Sequence, residues 1–365
     1  MAYRMIQVGT GGMGRNWCGT FVPDLVADGS VEVVAAVDVV PDMLENARTG
    51  LGLPPERLYT DINEAFRNHG HEVDFCTIVV PPAFHESIVD VAIAHGAHIL
   101  SEKPIADTLL ASCRIARKVE RAGLKMGVTM SHRFDQDKTT LREAIRDPAT
   151  GPVDYLVGRF TDDCRAYGRW GAFRHDITDP MLIEGSVHHL DILADLAGAE
   201  CETIYAETWN PPWGEFAGDS QVLVTMRFAN GRRAIYEGAL ANAVRLNGWG
   251  QEYVRAECQN ATLIMDHRRV ERFPELPGGS REQRHADRRE GQGEEVPLLE
   301  QRRWGHTWLI EQFVRWLDGG PVMETAVQRN LQSVANIFAA IESSRTGMPV
   351  KVQEFLASTQ RQLPA

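Results

Sequence analysis

Apolar residues run almost unbroken through Met5-Ile6-Gln7-Val8, Val31–Val37, Phe75–Val80 and His98–Leu100. Runs this short, rich in β-branched residues, predict strands buried on both faces, as in a parallel sheet. Between them, Pro41–Thr49, Ile62–Asn68 and Phe84–His95 carry apolar positions at helical spacing, and a helix-compatible stretch starts at Arg15. Gly96 follows the third of these segments as a C-terminal cap. Strands alternating with helices at this interval predict right-handed βαβ units and a doubly wound sheet.

The pattern changes after about Gly127. Tyr155–Phe160, Gln221–Phe228, Arg233–Leu240 and Tyr253–Glu257 alternate polar with apolar residues, and Ala229-Asn230-Gly231 reads as a hairpin turn. Alternation of this kind predicts a large, mostly antiparallel open sheet with one face packed and the other free or facing a partner. Trp308–Leu317 and Ala326–Glu342 return to helical spacing. The fold class expected is therefore α/β, with an N-terminal Rossmann sheet over 1–127 and a C-terminal α+β domain over 128–365. The length of 365 residues agrees with two domains.

Composition adds exclusions. A formal charge of −12 argues against nucleic acid, whose binding needs a concentrated basic face. The one basic-rich run, Arg281 to Arg289, is interleaved with Glu282 and Asp287 and reads as a solvated stretch of the polar Gly278–Gly293 loop. No apolar run approaches the ~18 residues of a membrane helix, so no membrane partner is expected. Met1-Ala2-Tyr3-Arg4 leads straight into a strand without room for a signal peptide, and the six cysteines stand singly without a C-x-x-C pair. The expected location is cytoplasmic, with reduced thiols.

The first chemical motif is Gly9-Thr10-Gly11-Gly12-Met13-Gly14, a G-x-G-x-x-G directly after a strand. In that setting Gly9 makes the tight turn, Gly11 lets the backbone approach a pyrophosphate, and Gly14 allows close helix packing. Asp38 ends the second strand, where a carboxylate accepts hydrogen bonds from ribose hydroxyls and repels the extra phosphate of NADP. No basic residue follows in Val39-Val40-Pro41-Asp42, which favours NAD, although a basic residue could arrive from elsewhere in the fold. A strand-end cap is the alternative role for Asp38.

Glu102-Lys103-Pro104 follows the fourth strand, at the carboxyl edge where parallel sheets place ligands. A lysine there can hold a substrate hydroxyl and stabilise the negative charge that grows on its oxygen as hydride leaves. A second constellation lies in Met181–Asp191. If helical, it puts Glu184, His188 and Asp191 on one face, two carboxylates bracketing a histidine suited to general-base work. The rival readings are a metal site and a plain charge network. Metal is not expected, because adjacent His188 and His189 cannot both face one ion from a helix and no further ligand cluster appears; His189 is expected to be structural.

The glycine loop, Pro81-Pro82 with His85, Glu102-Lys103-Pro104, the histidine helix and the stretch from His306 to Val352 together resemble the glucose–fructose oxidoreductase/inositol dehydrogenase (Gfo/Idh/MocA) family over nearly the whole chain. The resemblance implies a nicotinamide cofactor, here NAD, and a sugar, cyclitol or glycoside substrate. It also implies a homodimer or homotetramer built through the C-terminal sheet. Lys103 would be the catalytic lysine and His188 the proton acceptor or donor, with Glu184 beside it. Glu102 would contact the nicotinamide ribose, Arg133 would reach the nicotinamide or substrate, and Pro81, Pro82 and His85 would line the cofactor cleft. Many members carry aspartate where this chain has Glu184, and the entry Asp179-Pro180-Met181-Leu182 also departs from the family pattern. Arg174, His175 and Trp170, just upstream, are candidates to contact substrate. The expected activity is dehydrogenation of a secondary hydroxyl, or reduction of its ketone. Redox-neutral, NAD-dependent glycoside hydrolysis is the alternative with the same lysine and histidine, and a non-catalytic sensor is a third, less favoured by the intact pair.

Overall fold

The computed structural model describes residues 2–276, 278–280, 282–283 and 286–364. They divide into two compact units. The first comprises Met1–Ser131, Arg303–Val334 and Ser358–Ala365, and the second His132–Arg302 and Ala335–Ala357.

The first unit is built on six parallel strands: β1 Tyr3–Val8, β2 Val31–Val37, β3 Leu58–Tyr59, β4 Phe75–Ile78, β5 His98–Ser101 and β6 Met126–Val128. Their spatial order is β3-β2-β1-β4-β5-β6, every neighbouring pair is parallel, and the order reverses between β1 and β4. That reversal is where doubly wound sheets open a crevice for ligands. Met5, Ile6, Phe75, Ile78, Ile99 and Leu100 are all fully buried, which is the physical reason the apolar runs are continuous. Helices fall at Leu44–Gly50, Ile62–His69 and His85–Ala94, and Gly96, with φ of 69°, supplies the left-handed residue after the last of them. The helix-compatible stretch from Arg15 is helical, with α-turns at Met13–Asn16 and Pro23–Ala27 around a π-helical segment, Trp17–Phe21. Trp17 and Cys18, fully buried, anchor that segment.

The second unit holds nine strands: β7 Val153–Thr161, β8 Cys201–Trp209, β9 Gln221–Phe228, β10 Arg233–Ala239, β11 Tyr253–Cys258, β12 Ala261–Asp266, β13 Arg269–Pro274, β14 Glu294–Val296 and β15 Val350–Lys351. The order is β14-β13-β12-β11-β7-β10-β9-β8-β15, and only the β10–β7 pair is parallel. The turn at Asn230-Gly231 closes the β9–β10 hairpin, with Gly231 at φ of 85°. Along β9 and β10 burial alternates residue by residue, so one face packs while Leu223 and Ile235 stay half exposed on the other. Helix Val187–Ala197 lies on the packed face, where Gly158 leaves only enough room for the Leu193 methyls. Of the basic-rich run, Arg281, Arg284 and His285 lie outside the described residues. Among the described residues no helix is long and apolar enough to cross a membrane.

Candidate functional site

In the first unit the glycine loop is shaped by close approach. A Cβ on Gly9 would sit 2.0 Å from the Val79 carbonyl oxygen, and one on Gly14 would sit 2.3 Å from the Gly9 carbonyl oxygen. Gly9 and Gly12 also have positive φ, 87° and 50°. Around Gly12 nothing lies within 4 Å, and both Gly12 and Met13 are exposed, so the loop offers bare backbone at the end of β1. A surface of that kind fits a dinucleotide pyrophosphate.

Asp38 has a task the motif did not reveal. Its Oδ2 accepts the backbone N–H groups of Thr10 at 2.8 Å and Gly11 at 3.0 Å, while Oδ1 accepts that of Val40 at 3.0 Å. The carboxylate therefore fixes the loop. Thr10 is buried, its hydroxyl donating to the Met43 carbonyl at 2.8 Å, so its side chain packs inward. Gly11 also faces Met43, whose side chain would lie 3.0 Å from an added Cβ.

His85 is fully buried too. Its Nε2 lies 2.9 Å from the Val80 carbonyl and its Nδ1 3.2 Å from that of Ile105. It holds the turn carrying Pro81 and Pro82 in place rather than lining a cleft itself; Pro81 is exposed and Pro82 half-buried. Past β5, the buried Glu102 accepts the Trp17 indole N–H at 2.8 Å, and the His306 ring nitrogen lies 2.9 Å from the same oxygen. Burial would raise this carboxyl, but the charge and hydrogen bond of His306, the Lys103 ammonium and the Trp17 indole outweigh it and hold it at about 2. Glu102 is a permanent anion, and its other oxygen accepts the backbone N–H of Lys103 at 3.3 Å. Lys103 is half-buried, and its peptide to Pro104 is cis.

In the second unit the helix expected over Met181–Asp191 is π-helical at Met181–Ser186 and α-helical only from Val187. Each of its two carboxylates meets an arginine. Glu184 accepts the Arg174 Nε–H at 2.9 Å, and Asp191 lies 3.3 Å from Arg133. Arg174 also rests over the Trp170 ring, which stacks on Trp249. Trp249 in turn presents its edge to His188 with ring centroids 6.0 Å apart. Arg174, Trp170, Glu184 and His188 are thus gathered around one tryptophan. His175 is not among them: it is buried, stacked on Phe216 at 4.0 Å, with Nδ1 at 2.9 Å from the Glu215 carbonyl. Arg133 is held between Asp191 and Asp195.

A cluster absent from the sequence reading surrounds His188. His132 stacks on it, and His132, His189 and Glu252 bring one ligand atom each within 4.8 Å of one another. The expectation that no further ligand cluster would appear is corrected by this trio. Its partners lie far apart in sequence, on the turn Ser131–Phe134, the helix Val187–Ala197 and the residue before β11, so no spacing could have announced them. The carboxylate is already compensated, since the buried Lys138 ammonium lies 2.7 Å from Glu252 Oε2. That internal cation stands where a divalent ion would need the charge. Burial opposes ionisation of both, yet Lys138 and the two histidines hold Glu252 well below the usual carboxylate range, and Glu252 with Asp137 and Asp135 raises Lys138.

Tyr236, whose phenol burial pushes upward, lies with its hydroxyl 2.8 Å from His189 Nδ1. Burial lowers His189 to about 4, with Glu252 opposing. The unfolded ring titrates near 6.5 and the folded ring near 4, so its contribution is complete above 6.5 and disappears as pH falls towards 4. The expected loss is about 3 kcal/mol over that window. Urea midpoints measured from pH 7.5 to 4 should fall more steeply for the natural chain than for His189→Gln; parallel curves would refute this.

Comparisons with known proteins agree with this architecture. Residues 3–130 match the model of an oxidoreductase family with an NAD-binding Rossmann fold, and residues 142–352 match the model of that family's C-terminal α/β domain. An uncharacterized protein of Sinorhizobium fredii is 54% identical over 98% of this chain and 98% of its own. A scyllo-inositol 2-dehydrogenase (NAD(+)) of Bacillus subtilis is 28% identical over 62% of this chain, which spans 63% of that protein's length. The structure of an oxidoreductase from Agrobacterium radiobacter, in complex with NAD+, L-tartaric acid and magnesium, shares the fold. Its TM-score is 0.79 at 18% identity, covering 97% of this chain and 99% of that one.

Proposed function

The chain belongs to the Gfo/Idh/MocA family of oxidoreductases, and from that premise we propose that it is an NAD-dependent dehydrogenase, or reductase, acting on a secondary hydroxyl or its ketone in a sugar, cyclitol or glycoside. The observation that carries the proposal is the junction after β1, where Gly9 and Gly14 leave no space for a side chain and Gly12 stands open. The inositol-oxidising relative in Bacillus subtilis supports a polyol substrate. Asp38, followed by the exposed Val39 and Val40 in place of basic residues, favours NAD over NADP.

Bound NAD supplies the hydride acceptor. In the proposed reaction Lys103 donates a hydrogen bond to the substrate oxygen and stabilises the charge that develops there, while His188 takes the hydroxyl proton. Glu184, neutralised by Arg174, holds the polar wall beside His188 and orients the substrate's remaining hydroxyls. Trp170 offers a flat apolar face to the ring.

The test is nicotinamide absorbance while protein and NAD meet a panel of sugars, cyclitols and glycosides, with released sugar assayed in parallel. NADH accumulating with one class names the substrate. Sugar released without net NADH overturns the reading in favour of redox-neutral hydrolysis.

The proposal extends to assembly. The open face of β7–β10–β9–β8 forms a concavity of ≈ 420 Å³ bordered by Tyr205, Leu223 and Ile235, and the proposed pairing of copies uses this face. An aspartate at position 235 would be buried without a partner in such an interface. Ile235→Asp is expected to lower the mass measured by light scattering to that of a smaller assembly; an unchanged mass refutes pairing through this face.

A further inference from the structure

The rings of His132 and His188 lie parallel, with centroids 3.9 Å apart and planes 13° from one another. His132 comes from the short turn Ser131–Phe134, and His188 from the helix Val187–Ala197. Trp249 sets its edge against both, at 5.3 Å and 88° to His132 and at 6.0 Å and 83° to His188. His132 is held in turn, its Nδ1 being 3.2 Å from Glu252 Oε1. The same oxygen accepts the Gly250 backbone N–H at 3.2 Å, and Glu252 Oε2 meets the Lys138 ammonium at 2.7 Å. Lys138 is steadied further by Asp137 at 3.3 Å and Asp135 at 3.5 Å. A continuous line of contacts therefore runs from the helix Gln136–Arg146 to the face of His188.

Lys138 and Glu252 are each about 98% buried, and taking both charges out of water is costly unless their geometry serves an end. Simple filling beside His188 would need only an apolar side chain. What the ion pair adds is a fixed charge, because it holds a carboxylate oxygen 3.2 Å from Nδ1 of His132, against the edge of that ring.

We propose that His132 is a positioning residue for His188: Glu252, anchored by Lys138, orients the His132 imidazole, and the stacked ring fixes the plane in which His188 presents its nitrogen to substrate. The inference rests on proton transfer by His188 as proposed above. Proton transfer demands hydrogen-bond reach and alignment, and a displacement of ~1 Å at a reacting group can cost about 100-fold. His132 touches His188 and acts through it.

The experiment compares His132→Gln, which removes the ring, with His132→Phe, which keeps a stacking ring but breaks the link to Glu252. Circular dichroism and melting establish that each is folded. His132→Gln is expected to lower kcat about 10- to 100-fold with KM changed less than about threefold, and His132→Phe to recover part of the loss. Equal kcat in His132→Gln and the natural chain, a loss confined to KM, or no recovery in His132→Phe would each overturn the proposal.

A second arm needs neither substrate nor a variant at position 132. Protein labelled with 15N-histidine is recorded by NMR, His188 being assigned by its absence from His188→Gln. A fixed ring in the natural chain gives nitrogen–Hβ couplings of a single side-chain rotamer, whereas rotamer-averaged couplings overturn the proposal even if His132→Gln does not fold. Should no polyol reduce NAD, the functional reading fails while this arm still decides the positioning.

Discussion

Lys103→Met is expected to lower turnover about 10²- to 10³-fold while leaving the NAD dissociation constant within about threefold. The residue follows β5 and is half-buried. Its neighbour Glu102 is locked by Trp17 and His306, which pins the backbone from which the lysine projects. Methionine keeps the length and apolar stem but removes the ammonium, so the packing survives while the charge that the proposed reaction sets against the substrate oxygen is lost. That charge matters most in the transition state, where negative charge has grown on the oxygen, and so the loss falls on kcat. Stopped-flow turnover and fluorescence titration of NAD separate the two quantities. Equal losses in turnover and NAD affinity would show that Lys103 serves cofactor binding instead.

Gly9→Ala is expected to destabilise the first unit by roughly 3 kcal/mol or more and to abolish NAD binding, whereas Gly12→Ala costs only about 1–2 kcal/mol. Both positions have positive φ, and both substitutions incur the left-handed penalty of an L-residue. They differ in surroundings. At Gly9 the new Cβ would lie 2.0 Å from the Val79 carbonyl oxygen, a backbone atom at the end of β4 that cannot swing away. Its displacement would disturb the strand pair β1–β4 that frames the crevice. At Gly12 nothing lies within 4 Å. Thermal melting of the two variants decides the matter, since equal melting temperatures would mean that the close approach contributes nothing.

The parallel sheet was legible because both its faces are buried, which leaves apolar runs that no surface strand could carry: β2 coincides with its apolar run. The antiparallel sheet was legible for the opposite reason, one wet face imposing alternation on β9 and β10. The turn at Gly9–Gly14 was legible because its glycines stand within a few consecutive residues, and a side chain finds no room at Gly9 or Gly14. What stayed hidden depends on residues that meet only after folding. Nothing near Glu102 points to His306, and nothing near His188 points to His132, Glu252 or Lys138. The π-helical turns at Trp17–Phe21 and Met181–Ser186 share apolar spacing with α-helices and could not be told from them. His85 was placed by the family resemblance and His175 by its nearness to the histidine helix, whereas both rings are buried against backbone carbonyls, a use of histidine that leaves no mark in the sequence.

The first unit is not one stretch of chain. His306, which holds Glu102, and Arg303, whose guanidinium lies 2.5 Å from both Asp24 and Asp28, arrive from more than 170 residues downstream of Ser131. During synthesis the ribosome releases the β1 glycine loop early, yet the anion beside Lys103 waits for its counterpart until most of the chain has emerged. Until then Glu102 has Trp17 and Lys103 but lacks His306, and a fragment ending at Ser131 would retain that deficit permanently. The nucleotide fold in this protein is completed from its far end.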